Sequence, residues 1–242
     1  MQQYFISNAN FYQNHAIIKG QDLHHLKTVM RMHIGDKIIA VNEDSLAFIG
    51  EITSISDKEA NINFIEVIRE SHKSSKITIA QALIKRERFE WFLEKATELG
   101  VWNILPVSFE RSIVKIDADA EAKKMSRYQM IVKEAAEQSH RLHQPTVLPV
   151  VRLRDIDLKA YDKIIVCYEG ADETSNLMNF VPILEYKMKI LVVIGPEGGI
   201  SPQEIEWLKN NNGLVCSLGK RILRSETASL LLLSFFNTLW EC

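Results

Sequence analysis

The sequence lacks most of the features that would assign a function at a glance. Three cysteines occur in 242 residues, Cys167, Cys216 and Cys242, and no two form a Cys-x-x-Cys pair. That argues against a disulfide framework and against a cysteine-built zinc site, and no metal is expected. Cys167 and Cys216 fall in strand-like apolar runs, where a thiol behaves as a small hydrophobe. No apolar run approaches the roughly 20 residues of a membrane-spanning helix. The longest, Leu230 to Phe236, is broken by Ser234, so no membrane partner is expected. The opening MQQYFISNAN has neither a basic leader nor an apolar signal core, and the chain is expected to be cytoplasmic. Walker and Gly-x-Gly-x-x-Gly loops are both absent, which weakens mononucleotide and Rossmann readings. A formal charge of -2 gives no reason by itself to expect nucleic acid.

What is present is unevenly distributed. Residues 71–154 carry 15 basic and 10 acidic side chains, whereas both flanking stretches are acidic. DLHHLKTVMRM has apolar residues at 23, 26, 29 and 30, the spacing of one helical face. From Lys37 to Ile68 the chain turns to short β-branched runs, KIIAV, AFIGEITSI and ANINFIEVI, as in a small antiparallel barrel or sheet. The polar RESHKSSK, Arg69 to Lys76, reads as a linker, dividing the chain into domains 1–70 and 71–242.

Beyond it, ITIAQAL, KIIVCY, KILVVIG and LVCSL read as apolar throughout, which suits parallel strands covered on both faces. Helices are expected at Phe89 to Leu99, Asp119 to Leu142, Pro202 to Asn211 and Ser225 to Trp240. The second domain is therefore α/β.

Two loops could carry chemistry. Gly195-Pro196-Glu197-Gly198-Gly199 joins a buried strand to a helix whose start is marked by Ser201, Pro202 and Glu204, a capping box. A loop at the carboxyl end of a parallel strand is where α/β sheets bind ligands; a turn serving geometry alone, or a phosphate site at the helix end, would read similarly. LGKRILRSETA repeats the strand-glycine-helix arrangement one unit later. Lys220, Arg221 and Arg224 do not favour a positive helix end, and so point towards an anionic partner. Glu137, His140 and Arg141 share a face of the long helix, and Lys85, Arg86 and Arg88 cluster at a strand-to-helix junction.

Taken in order, HHLKTVMRMHIGD, KATELGV, EAAEQSHR, IGPEGGIS and LGKRILRSETA resemble the 16S ribosomal RNA uridine N3-methyltransferases of the RsmE type, in the SPOUT superfamily, across essentially the whole chain. The resemblance implies a PUA-like amino-terminal β-barrel domain that helps hold RNA. It also implies a SPOUT-type parallel sheet with a carboxy-terminal trefoil knot, a topology that general rules of chain connection disfavour.

S-adenosylmethionine is then expected among three loops, at Tyr168 and Glu169, at Ile194, Gly195, Glu197, Gly198 and Gly199, and at Leu218, Gly219, Ile222, Leu223, Thr227 and Ala228. Arg224 would stabilise the anionic base, with Glu197 or Glu226 as general base. RNA contacts are expected from His24, His25, Lys27, Arg31, Lys85, Arg86, Arg141 and Arg221. The partner would be 16S rRNA or the small ribosomal subunit, and the protein a homodimer. His140 departs from the resemblance, standing where a small residue is usual. Two rivals remain: a nucleotide- or phosphate-using enzyme, and a catalytically silent RNA-binding protein.

Overall fold

The β-branched runs after residue 37 form the strands their alternation implies, β3 (Lys37–Val41), β4 (Ala47–Ile55) and β5 (Glu59–Ile68), preceded by β1 (Gln2–Phe5) and β2 (His15–Lys19). The computed structural model describes residues 1–68, 76–114, 118–172, 175–185 and 187–240. The linker is outside these except for Lys76, as is Cys242. By its internal contacts the chain divides into two units, Met1–Ser71 with Lys133–Gln144, and His72–Val132 with Pro145–Cys242.

In the first unit the strand order is β1-β3-β4-β5-β2. The sheet is mixed, because β1 pairs parallel with β3 while the remaining pairs are antiparallel. Among the described residues β1 and β2 are its two edges, so its ladder is open. Of the expected small antiparallel barrel or sheet, the structure has the sheet, made mixed by the β1–β3 pair. Tyr4, Ile18, Leu26, Ile38, Ile52 and Ile62 fill its core.

The expected helix from Asp22 to Met32 is also corrected. A short α1 (Gly20–His24) passes into a π-helical turn, His25–Val29, in which Met30 N donates to the His25 carbonyl at 2.9 Å. The wider turn changes the register of the apolar face. Leu23 and Leu26 stay buried, whereas Val29 and Met30 are 59% and 43% exposed.

The second unit is built on a parallel sheet of order β12-β10-β11-β6-β7-β8, with β9 also pairing β7. Its strands are β6 (Lys76–Ala82), β7 (Asn103–Ser108), β8 (Thr146–Val147), β9 (Val151–Arg152), β10 (Lys163–Cys167), β11 (Lys189–Ile194) and β12 (Gly213–Cys216). Strand β7 shows how a proline can sit inside a sheet. It pairs with β8 at Asn103 and Ile104 and with β9 at Val107 and Ser108, and this outer ladder is interrupted around Pro106, which has no N–H to give.

Alternate residues of each strand enter two separate cores. Ile77, Ile79, Ile165, Ile190 and Val192 face α2 (Arg86–Glu98) and α5 (Ser225–Trp240). Ala80, Ile164, Val166, Leu191 and Val193 face α4 (Pro202–Asn210). Covering both faces explains why these strands read as nearly continuous apolar runs.

The long helix α3 (Ala118–Gln138) stops short of the expected Leu142. His140 takes a left-handed backbone with φ 56°, and Arg141 N returns to the Ala136 carbonyl at 3.0 Å. This left-handed closure of a helix end is usually made by glycine. It accounts for the small residue that the resemblance leads one to expect at this position.

Candidate functional site

Register places three loops side by side. Cys167 at the end of β10 pairs with Ile194 at the end of β11 and with Cys216 at the end of β12. The loops after these strands therefore leave the sheet at one level, at its carboxyl edge. They enclose a cleft of about 310 Å³ lined by Tyr168 and Glu169, by Ile194, Gly195, Pro196, Glu197, Gly199 and Ile200, and by Ser217 to Ser225, with Cys167 and Ala228 at its base. Burial pushes the Cys167 thiol up from its usual value.

The second loop is shaped by its glycines. A Cβ on Gly195 would stand 2.5 Å from Ile200 Cγ1, too close for any side chain to be added without a shift. Gly199 has φ +73°, in the left-handed region, with the Glu169 carboxylate 3.3 Å from where its Cβ would be. The helix that follows is capped as expected. Ser201 Oγ accepts from Glu204 N at 3.3 Å, and Glu204 Oε2 accepts from Ser201 N at 2.9 Å. Glu204 Oε1 also accepts from Glu110 N at 2.8 Å. A buried carboxylate thus already occupies the positive end of α4, which weighs against a phosphate there.

The third loop presents its cations to solvent. Lys220, Arg221 and Arg224 are exposed, and among the described residues none of their side chains has an ion pair or hydrogen bond. Ile222 between them is 85% exposed. Where the loop enters α5, Ser225 Oγ donates to the Gly195 carbonyl at 2.7 Å and accepts from Gln81 Nε2 at 2.7 Å. Gln81 Oε1 in turn accepts from Ser229 Oγ. Gln81 is wholly buried in β6, a polar residue inside a run that reads as apolar. Its position could be suspected only from being the one amide in an otherwise hydrophobic strand.

The candidate acids separate. Glu197 lines the cleft and has Arg88 Nη1 3.6 Å from its Oε1. Glu226 does not line it; it is buried in the first turn of α5, with Arg88 Nε 3.9 Å away. Gly198 and Thr227 are likewise outside the lining. Gly198 is nonetheless held in place, its carbonyl accepting from Arg111 Nη1 at 3.3 Å.

The expected RNA-contacting cations differ in availability. In the second unit Lys85 is exposed at the start of α2, while Arg86 is engaged with Glu90 at 2.8 Å. Glu90 is also gripped by both Nε and Nη2 of Arg127 at 2.7 Å, and these arginines hold its carboxyl down at about 2. In the first unit Lys27 Nζ donates to Asp57 Oδ1 and to the Ser56 carbonyl, both at 3.0 Å. His25 Nδ1 lies 3.1 Å from Tyr4 Oη, His24 Nδ1 lies 3.3 Å from Thr28 Oγ1, and Arg31 is exposed with φ 52°. The Arg141 carbonyl accepts from Gln3 Nε2 at 2.6 Å.

Glu137, expected to share a polar face with His140 and Arg141, is buried. It accepts from Phe5 N at 3.0 Å and pairs with Lys133 at 3.3 Å, and burial raises its carboxyl from the usual range. Among the described residues no group of three or more His, Cys, Asp or Glu could hold a metal, and no helix is long and apolar enough to cross a membrane.

The chain is similar to known proteins over nearly its whole length. Residues 71–237 match the RNA methyltransferase domain family, and residues 18–65 the RNA methyltransferase PUA domain. The chain is 37% identical to ribosomal RNA small subunit methyltransferase E of Bacillus subtilis, over 97% of this chain and 95% of that one. It is 27% identical to the protein of the same name from Rickettsia conorii, over 92% and 90%. Among solved structures, a ribosomal RNA small subunit methyltransferase E from Neisseria gonorrhoeae bound to S-adenosyl methionine superposes with a TM-score of 0.86 at 28% identity, covering 99% of this chain and 98% of that one.

Proposed function

The chain belongs to the RNA methyltransferase family, and from that premise we propose that it transfers the methyl group of S-adenosylmethionine to N3 of a uridine in 16S rRNA, acting on the assembled small subunit. The observation that carries this reading is the cleft itself, with three loops at the carboxyl ends of β10, β11 and β12 and unpartnered cations on its rim.

The lining suits the cofactor. Glu169 and Glu197 put two carboxylates in the cleft, favourable to a ligand bearing ammonium and sulfonium charges, and Gly195 and Gly199 leave room for a close backbone approach. Tyr168, Ile194, Leu218, Gly219, Leu223 and Ala228 supply the remaining walls. When bound, S-adenosylmethionine supplies an electrophilic methyl on sulfur. Glu169 and Glu197 would hold it on their side of the cleft as N3 takes that methyl, the electron pair of the S–C bond staying on sulfur.

Uracil N3 carries a proton and is a poor nucleophile until that proton leaves. Glu197, exposed to the cleft, is placed to take it. Arg224, exposed with no competing partner among the described residues, stabilises the negative charge that develops on the uracil carbonyl oxygens. Arg221 and Lys220 hold backbone phosphate beside it. The buried Glu204 carboxylate at the α4 end argues against the nucleotide-using alternative. The intact glycine loop and the unpartnered cations argue against a silent binding protein.

Two further features belong to the same reading. The final segment closes the trefoil knot that the family resemblance implies. Leu231, Phe235 and Leu239, four apart on α5, flank a groove with Ser234 and Thr238 and support dimerisation through this helix. The modest net charge favours an assembled subunit over free RNA, because few uncompensated cations would hold naked RNA weakly at cellular salt.

The test is transfer of labelled methyl from S-adenosylmethionine to unmodified small subunits and, in parallel, to deproteinised 16S rRNA. Faster labelling of subunits is expected. Equal or preferred labelling of bare RNA would overturn the assembled-subunit part.

A further inference from the structure

We propose that Arg88 is a positioning residue for methyl transfer, holding the Glu197 carboxylate at the cleft from an anchor on buried Glu226; the inference rests on the methyl-transfer reading above. Arg88 lies in the first turn of α2 and Glu226 in the first turn of α5, two helices packed on the same face of the sheet. One guanidinium thus faces two carboxylates, Glu197 Oε1 at 3.6 Å from Nη1 and Glu226 Oε1 at 3.9 Å from Nε.

Both separations exceed hydrogen-bond length, so Arg88 retains donors that neither partner has taken up. The matching unmet acceptor is close by. Glu226 is 5% exposed, and its Oε2 has no hydrogen-bond partner among the described residues. An acid in the first turn of a helix is favoured by the helix dipole, but that accounts for an exposed carboxylate, where water completes the solvation. Burying one with an oxygen left over is costly unless the charge is used. Arg88 is the cation that uses it.

Glu197 needs such support. It stands on a loop flanked by Gly195, Gly198 and Gly199, and Arg88 is its one side-chain partner among the described residues. Without Arg88 the acceptor of the uracil proton would be untethered, and two like charges would face each other across the gap. With it, Glu226 fixes the guanidinium, and the guanidinium fixes Glu197. Arg86, two residues earlier, is spent on Glu90 and cannot substitute.

The experiment uses the full chain, S-adenosylmethionine binding by calorimetry and methyl transfer to unmodified small subunits under saturating cofactor. Arg88→Ala should lower kcat by about a hundredfold with cofactor affinity and KM for the subunit nearly unchanged. Arg88→Lys, which keeps the charge, should recover part of the rate. The double variant Arg88→Ala with Glu197→Gln should be no slower than Glu197→Gln alone, because both act through one carboxylate. Glu226→Gln, which preserves shape, should lower kcat in the same direction and serves if Arg88→Ala fails to fold.

Wild-type transfer with losses that multiply in the double variant, or with cofactor affinity falling as far as rate, would overturn the inference alone. Cofactor binding by the wild type with no transfer to any RNA would overturn the methyl-transfer reading and this inference with it.

Discussion

Ser225 Oγ donates to the Gly195 carbonyl oxygen at 2.7 Å, tying the first residue of α5 to the first residue of the glycine loop. Because Gln81 Nε2 donates to the same hydroxyl, removing it takes this donor from the Gly195 carbonyl and leaves Gln81 Nε2 with only its 3.3 Å bond to the Ala82 carbonyl. Ser225→Ala should cost about 1–3 kcal/mol in denaturant unfolding. It should also weaken cofactor binding, since two of the three cleft loops lose their mutual restraint. Gln81→Leu, which removes the amide but leaves Ser225 bonded to Gly195, should lower stability with a smaller effect on cofactor affinity by calorimetry.

Much of this arrangement is legible in the sequence, and the parts that are not share a cause. The glycine loop, the capping box and the extent of α5 follow from local chemistry, so they can be read residue by residue. Gln81 is different: nothing in ITIAQAL says that its amide will meet two serines 144 and 148 residues away. The exposure of Val29 and Met30 was equally hidden, because a π turn changes the helical register without a proline or glycine to announce it. Strand β7 carries Pro106, which counts against a strand when read from sequence alone, and β2 spans only His15–Lys19. Arg88 reads as one more cation beside Lys85 and Arg86; only tertiary packing points it inward while Arg86 pairs along the helix.

The cations should differ in their share of RNA binding according to their existing partners. Arg221→Ala and Lys85→Ala should each reduce the magnitude of the salt slope of RNA binding by about 1. Lys27→Ala should change it less, because Asp57 already neutralises that ammonium at 3.0 Å. Filter binding across a salt series separates these outcomes, and a larger effect at Lys27 than at Arg221 would reverse the assignment.

Acid unfolding should register Glu90. Arg127 and Arg86 lower its carboxyl from 4.5 to about 2, so its contribution to stability is present above the ordinary value and lost as pH falls through that window. Glu90→Gln should therefore destabilise the protein near neutral pH by about 1 kcal/mol, its partners being partly exposed. It should also flatten the loss of stability between pH 4.5 and 2. Urea unfolding at several pH values checks both the size and the sign.

His140 ends α3 with φ 56°, a conformation that costs an L-residue more than glycine. His140→Gly should raise stability by up to about 1 kcal/mol, the gain being limited by glycine's greater freedom in the unfolded chain. Thermal melts compare the two directly, and a marked loss on substitution would mean that the imidazole makes a contact worth more than the strain.

The central claim is the atom that receives the methyl group, and nucleoside analysis of the reaction product tests it most directly. Small subunits lacking the modification would be incubated with the protein and labelled S-adenosylmethionine, their 16S rRNA digested, and the labelled nucleoside identified by mass spectrometry against standards. The account predicts 3-methyluridine, formed by the wild type and lost with Arg224→Ala while cofactor affinity persists. A 2′-O-methylated or carbon-methylated nucleoside in its place would contradict it.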